Sequence, residues 1–421
     1  LTSLPTYVMV SVSTPRSRSQ EAGVKYFFLG AFGAATFLMG FALLYGAAGT
    51  TQLFGEVSIA SALVAEQAAT GSIGPIALAG IVLSILGVSF KIAAVPMHFY
   101  TADVYEGAAA PVSAFLAFVP KTAGFIVLAL LLATVGWGNT TPDPGSVAGA
   151  ASTGDLPDAV RVTLWTLAAL TMTVGNVLAI QQSSIKRMLA YSSVAHSGYM
   201  LVGLIAGPGD TLPANGLGAV FFYLLAYGVM NLGAFAVVAS LERRRSLAGS
   251  AEEVDHIDAI RGLARTEPVL GWTMVLSAAS LLGLPLILGF FGKLYLFTAA
   301  LSAGELTLVV VLAINSAIAA FYYIRLMFYP LTEPTDDEAT EGVTTAPFPT
   351  RWAAGLISAT AVIALVPFTA ALTRAAHHAA TYGAAAAIGA ATTTERDTDD
   401  GLPVNTEADR RAVGETADGA R

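Results

Sequence analysis

The sequence predicts an all-α bundle of membrane-spanning helices, about nine full spans plus a partial first one, with some of the helices broken. Three observations carry that prediction. Hydrophobic residues make up 55% of the 421 residues and charged ones only 12%, with a mean hydropathy of +0.67. A soluble domain carries about 25% charged residues to keep its surface in water. Apolar runs repeatedly exceed the roughly 20 residues that cross a hydrocarbon core, and the basic residues fall in alternate connections between those runs.

Taken in order, a partial span covers residues 1–12, and full spans follow near 24–47, 73–96, 111–136, 160–183, 186–206, 215–241, 268–299, 305–329 and 352–373. The apolar stretch from Val269 to Ala303 is 35 residues long. As one straight helix it would reach about 52 Å against a core of about 30 Å. Pro285, Gly289 and Gly292 lie inside it, so a broken helix is expected, with Lys293 just after the break. Pro96 and Pro120 suggest similar breaks, because proline removes a helix hydrogen bond. Residues 1–375 form the expected transmembrane unit, and 376–421 an acidic, disordered tail. Eight of the 29 acids fall between Ala391 and Arg421, without apolar periodicity. The chain opens on Leu1, inside an apolar stretch, and reads as lacking its first helices.

Orientation follows from the basic residues. Twelve of the 21 lie in odd-numbered connections: Arg16, Arg18 and Lys25; Lys186 and Arg187; Arg243, Arg244, Arg245, Arg261 and Arg265; Arg325 and Arg351. The even-numbered connections, 48–72, 137–159, 207–214 and 300–304, hold none. The odd connections are expected in the cytoplasm and the C-terminus outside the cell. The net charge of −8 argues against nucleic acid as a partner, and with no cysteine the chain cannot supply thiolates to an iron–sulfur cluster.

Three lysines remain inside spans: Lys91, Lys121 and Lys293. A charge at mid-bilayer costs about 2.5–3.5 kcal/mol on insertion scales, which makes each a functional candidate. Lys91 lies five residues before Pro96 and has a second reading, a flexible stem that lifts its ammonium to the interface. Lys121 lies ten residues into the run from Pro111 to Val135, too deep for that. In hydrocarbon the neutral amine competes with the ammonium, so three such groups on three spans can pass a proton. No acid is expected deep in a span, so the relay is basic. His196, within Ser192-Ser193-Val194-Ala195-His196-Ser197-Gly198-Tyr199, is either a hydrogen-bonded packing residue or a proton step between lysines. Tyr223, Tyr227 and Asn231 share one helix face and read first as interhelical glue. Nucleotide-binding loops, metal-ligand clusters and nucleophile elbows are absent, and His377-His378 is too weak a pair for a metal site.

Two segments carry a family resemblance. One is Phe90-Lys91-Ile92-Ala93-Ala94-Val95-Pro96-Met97-His98-Phe99-Tyr100, continued by Asp103-Val104-Tyr105-Glu106-Gly107 and Pro111-Val112-Ser113-Ala114-Phe115-Leu116. The other is Ser184-Ile185-Lys186-Arg187-Met188-Leu189-Ala190-Tyr191-Ser192-Ser193-Val194-Ala195-His196. Both resemble the antiporter-like membrane subunits of respiratory complex I, the bacterial NADH:quinone oxidoreductase, and the first is similar to the N branch in particular. Gly283-Leu284-Pro285 with Gly289-Phe290-Phe291-Gly292-Lys293 resembles the family's broken later helix. Ala102 and Ala109 depart from it, standing where prolines are common.

The resemblance implies a non-redox subunit of a translocase in the bacterial plasma membrane, moving protons while a quinone is reduced elsewhere. Its proton relay falls on Lys91, Lys121, His196 and Lys293. No cofactor is expected on this chain; NADH, FMN, iron–sulfur clusters and a quinone would be held by other subunits. The implied partners are the other membrane subunits and the lipid bilayer. The family's glutamate before Leu-x-Ser-Leu-Pro, the partner implied for Lys91, would fall just upstream of Leu1. A subunit of a multi-subunit sodium/proton antiporter, built on the same helices, is the alternative.

Overall fold

In hydrocarbon every backbone N–H and C=O must find its partner within the protein, and a helix does so within its own segment. The computed structural model, which describes residues 3–14, 17–135, 156–209, 211, 214–247, 255–333 and 349–380, follows that rule throughout. The helices are α1 (Ser3–Val12), α2 (Ser17–Ala48), α3 (Ile59–Thr70), α4 (Pro75–Ile92), α5 (Thr101–Gly107), α6 (Ala110–Val135) and α7 (Asp158–Ile180). They continue with α8 (Ile185–Ala206), α9 (Gly216–Leu247), α10 (Leu263–Thr266), α11 (Pro268–Leu282), α12 (Leu288–Ser302), α13 (Leu306–Leu331) and α14 (Pro349–Ala364). Among the described residues the one trace of β structure is an isolated bridge between Ser184 and His256.

Seven of these helices are long and apolar enough to cross a membrane, and an eighth span is formed if α14 and its continuation Val366–Ala380, bent by 51°, are counted together. Pro367 sits at that bend and explains it. The expected nine full spans are therefore not reached among the described residues. The stretch expected at 268–299 is two helices of 15 residues each, and each, about 22 Å long, is too short to cross alone. Helix α3 was not expected; it lies in a connection, started by a capping box between Ser58 and Ser61 and stopped by Gly71 in the left-handed conformation.

Two expected breaks need correction. Helix α6 runs unbroken through Pro120, so the proline removes one backbone hydrogen bond without ending the helix. The break in the later stretch lies at 283–287, around Pro285, whereas Gly289 and Gly292 belong to the regular part of α12. Gly283 makes the turn possible with φ +87°, a conformation that costs other residues about 1–2 kcal/mol. Near Pro96, α4 does stop, at Ile92, with Ala93 in the left-handed region.

Helix α8 lies at the centre, with nearly all of its residues buried, whereas α2 is largely exposed along its length. A helix covered on every side by other helices is where polar side chains can sit inside a membrane protein without meeting lipid. Helices α2 and α4 approach backbone to backbone at Gly40 and Gly80, where a Cβ on Gly80 would come within 2.9 Å of the Gly40 carbonyl oxygen. The contacts Lys25–Asp103, Arg187–Asp103 and Lys186–Glu242 bring the odd-numbered connections together at one end of the bundle, while Arg161–Glu305 closes the other. Arg16 and the expected tail 381–421 lie outside the described residues; 376–380 are helical.

A buried lysine and histidine thread

Helix α6 carries Lys121 into the centre of the bundle, where it is 2% exposed. An ammonium has three hydrogens, and α8 provides acceptors for all of them: the Ser193 carbonyl at 2.5 Å, Ser193 Oγ at 3.0 Å and Ser197 Oγ at 2.9 Å. Ser197 in turn donates to the Ile92 carbonyl at 2.6 Å, the backbone group next to Lys91. Ser193 and Ser197 are one turn apart, so α8 presents them to Lys121 as a pair.

Lys91, in the last turn of α4, donates to Ser3 Oγ at 2.5 Å. It borders a cleft of about 270 Å³ whose wall includes Gly30, Gly33, Gly87, Pro120 and Gly124. No carboxylate among the described residues pairs with it. The cleft places Lys91 and Pro120, the neighbour of Lys121, on two sides of one space.

His196 lies one turn beyond Ser192 on α8 and is fully buried. Its Nδ1 meets the Tyr223 hydroxyl at 2.6 Å and its Nε2 the Tyr323 hydroxyl at 2.7 Å; Tyr323 also bonds Ser192. A neutral imidazole donates at one nitrogen and accepts at the other, so this ring has a partner for each role. Lys121 and Lys293 both lie within electrostatic range of it. Tyr223, expected as packing, is thus a direct partner of the histidine. Tyr227 and Asn231 behave differently: the Tyr227 hydroxyl and the Asn231 amide nitrogen are buried without a hydrogen-bond partner.

Lys293 is 5% exposed on α12. The break in the helix serves it directly. The Leu282 carbonyl, left unpaired where α11 ends, accepts from its ammonium at 2.7 Å, and Ser316 Oγ lies at 3.3 Å. Its nitrogen also lies 5.3 Å from the centre of the Tyr199 ring, within cation–π range. Tyr199 belongs to a further polar group, accepting from Asn176 at 3.0 Å, while Tyr322 donates to Asn176 at 3.0 Å.

Helix α8 therefore brings the four expected site residues around itself. Ser197 links the Lys91 turn to Lys121, His196 lies between its two tyrosines, and Tyr199 covers Lys293. One ion pair with a buried lysine was missed. Lys186, placed by the sequence in a connection, is 4% exposed and meets Glu242 Oε1 at 2.5 Å, with the Glu106 and Ala108 carbonyls at 3.1 and 2.8 Å. The available signal was Glu242's place on the same α9 face as Tyr227 and Asn231.

Around that pair the charged end of the bundle is held by short contacts. Arg187 donates to Asp103 and Glu106, both at 2.8 Å, and Lys25 donates to Asp103 at 2.7 Å. Burial pushes the Asp103 carboxyl up, but the hydrogen bonds from Lys25 and Arg187 outweigh it and hold the group below its ordinary value. Asp255, which accepts from the Lys186 backbone at the start of α8, goes the other way: burial raises it despite Lys186. Among the described residues no cluster of three or more histidines or acids could hold a metal ion.

The family model for the transmembrane region of NADH:quinone oxidoreductase and Mrp antiporters matches residues 1–142 and 155–319. The NADH-quinone oxidoreductase subunit N of Trichlorobacter lovleyi is 40% identical over 347 residues, 82% of this chain and 64% of that protein. A chain of respiratory complex I from Thermus thermophilus superposes with a TM-score of 0.68 at 31% identity, over 88% of this chain and 72% of that one. A chain of the Mrp complex from Dietzia superposes with a TM-score of 0.71 over 91% of this chain and 74% of that one; at 21% identity that likeness shows the fold alone. The chain spans about three fifths of the length of the curated relatives it matches.

Proposed function

We propose that this chain, which belongs to the NADH:quinone oxidoreductase/Mrp antiporter transmembrane family, is a proton-translocating subunit of an NADH:quinone oxidoreductase, of the kind called subunit N in its relatives. Protons pass along Lys91, Lys121, His196 and Lys293, driven by quinone reduction in other subunits of the complex. Other membrane subunits of that complex are its partners, and the bacterial plasma membrane is its location. NADH, FMN, iron–sulfur clusters and quinone are held elsewhere in the assembly.

The observation that carries this reading is the company the buried cations keep. Lys121 and Lys293 are bound by hydroxyls and carbonyls, and among the described residues no carboxylate fixes their charge. Either can lose its proton and remain hydrogen-bonded, since a neutral amine still donates twice and gains an acceptor. His196 can take a proton at one nitrogen and release one at the other, with a tyrosine hydroxyl at each. A packing role requires neither arrangement.

The test is Lys121→Ala in the full-length chain, assembled in its complex. The expected outcome is normal assembly with a reduced proton-to-electron ratio during NADH oxidation in inverted vesicles. An unchanged ratio would return the lysines to a packing role. The second reading, a sodium/proton antiporter subunit, is supported by the breadth of the family itself. Proton flux driven by a sodium gradient, without NADH, would favour it.

A further inference from the structure

The lysine and histidine thread needs a supply of protons at Lys121, and the Lys186–Glu242 pair, its lysine buried and its carboxylate 24% exposed, stands at the charged end of the bundle. Lys186 uses its three donors on Glu242 and on the Glu106 and Ala108 carbonyls. Glu242 also accepts from the Ala110 backbone N–H at 3.0 Å. This is an unusual pair, because neutralising the acid does not strand the base: Lys186 keeps two carbonyl acceptors. A pair built only to lock helices together gains nothing from that provision.

From this pair two elements lead inward. Helix α5, whose end is gripped by Lys186, carries Tyr105, a fully covered side chain whose hydroxyl is directed at Ser193. Helix α9 carries Glu242, Asn231 and Tyr227 on one face, with Asn231 about 16 Å and Tyr227 about 22 Å along the helix from Glu242. Tyr227 also lies toward Ser193, yet its hydroxyl makes no hydrogen bond of normal geometry, and neither does the Asn231 amide nitrogen. Tyr227 is 1% and Asn231 2% exposed. Unpartnered polar atoms at that depth are expensive, and buried water is the usual way they are satisfied. Ser193 itself accepts from Lys121, so both elements end on the relay lysine.

We propose that the Lys186–Glu242 pair is the proton inlet of the relay, joined to Lys121 by water held at Asn231 and Tyr227 and by Ser193. This rests on the proton-translocation reading and extends it to a path and a gate. A proton arriving at the charged end of the bundle forms an O–H bond on Glu242, whose carboxylate becomes a neutral acid, while Lys186 stays on its carbonyls. That O–H bond then breaks as a proton is passed along the water, an N–H bond forms on a neutral Lys121 amine, and Glu242 returns to the carboxylate. No electrons move. The ammonium of Lys121 then hands its proton on toward His196.

Three variants of the full-length chain in its complex test the inlet, beside Lys121→Ala as the marker of the relay. Tyr227→Phe and Asn231→Leu remove polar atoms that make no hydrogen bond of normal geometry, so a structural role predicts unchanged or improved stability and unchanged pumping. Glu242→Gln keeps an acceptor for Lys186 but cannot carry the proton. The expected result is loss of net pumping in all three, with quinone reduction preserved in uncoupled membranes. Normal proton-to-electron ratios in all three, with Lys121→Ala impaired, would overturn the inlet and leave the relay standing; a normal Lys121→Ala would remove the relay as well. A second measurement does not depend on pumping. The chain has no cysteine, so Asn231→Cys can be probed with a small water-soluble thiol reagent. It is expected to react from the membrane face that labels Ser246→Cys, near the C-terminal end of the same helix. Reaction from the opposite face alone, or from neither, would overturn the water-held path.

Discussion

The charged end of the bundle and its centre treat the same kinds of residue in opposite ways. At the end, Arg187 and Lys25 are tied to Asp103 and Glu106, and Lys186 to Glu242. In the centre, Lys121 and Lys293 donate to serines and backbone carbonyls, and among the described residues no carboxylate pairs with either. An opposite charge fixes a lysine as a cation, whereas a neutral acceptor accommodates either protonation state. The contrast teaches that burial alone does not decide a lysine's chemistry: on the proposed reading, the ones without a fixed counter-charge beside them are the ones free to release a proton.

The sharpest way to break this contrast is to give the centre what the end has. Ser197→Asp places a carboxylate against Lys121, and a carboxylate within about 4–6 Å strengthens a lysine's hold on its proton by about 10- to 1,000-fold. Proton pumping is expected to stop while the complex assembles, read as the proton-to-electron ratio in vesicles; undiminished pumping would show that Lys121 never needs to release its proton. Gly283→Ala tests the broken helix more gently. Its φ is +87° and an added Cβ would stand 3.1 Å from the Lys293 Cδ, so a loss of about 1–2 kcal/mol is expected, with a lower thermal midpoint for the purified complex. The smallest effect belongs to the charged end. Asp103 sits below its ordinary value in the folded chain, so its contribution to stability is present above about pH 4, the ordinary carboxylate value, and is lost as the pH falls through the lowered one. Asp103→Asn is expected to remove that acid-side loss from the pH dependence of the midpoint, without affecting pumping at neutral pH.

Composition and hydropathy were enough to read a helical membrane bundle, because hydrocarbon admits so few backbone solutions. The inward placement of Lys121, His196 and Lys293 was equally legible, since an ionisable group inside an apolar run has few ordinary explanations. What escaped was three-dimensional. Lys186 looked like a boundary charge because its carboxylate partner, Glu242, lies on another helix, 56 positions away. Tyr223 read as glue because its spacing shows a face but not what faces it. Pro120 was expected to break α6, yet one missing hydrogen bond is tolerated where neighbouring helices hold the chain. The later break fell at Gly283–Ile287 and not at the glycines beside Lys293, because Gly283 has the positive φ and Pro285 lies in the turn. Helix α3 was hidden by its lack of length.

The two 15-residue halves, α11 and α12, also bear on how the chain is built. Each is shorter than the roughly 20 residues that a span requires, and α12 carries Lys293 besides, a residue that opposes insertion by about 2.5–3.5 kcal/mol at mid-bilayer. Neither half is long enough to be a span of its own. The lysine is satisfied only once the Leu282 carbonyl, Ser316 on α13 and the Tyr199 ring on α8 are all in place around it. The two halves are thus completed by their neighbours: both pack against α9 and α13, and α12 also reaches α8, so the environment Lys293 needs exists only when these helices are assembled around it.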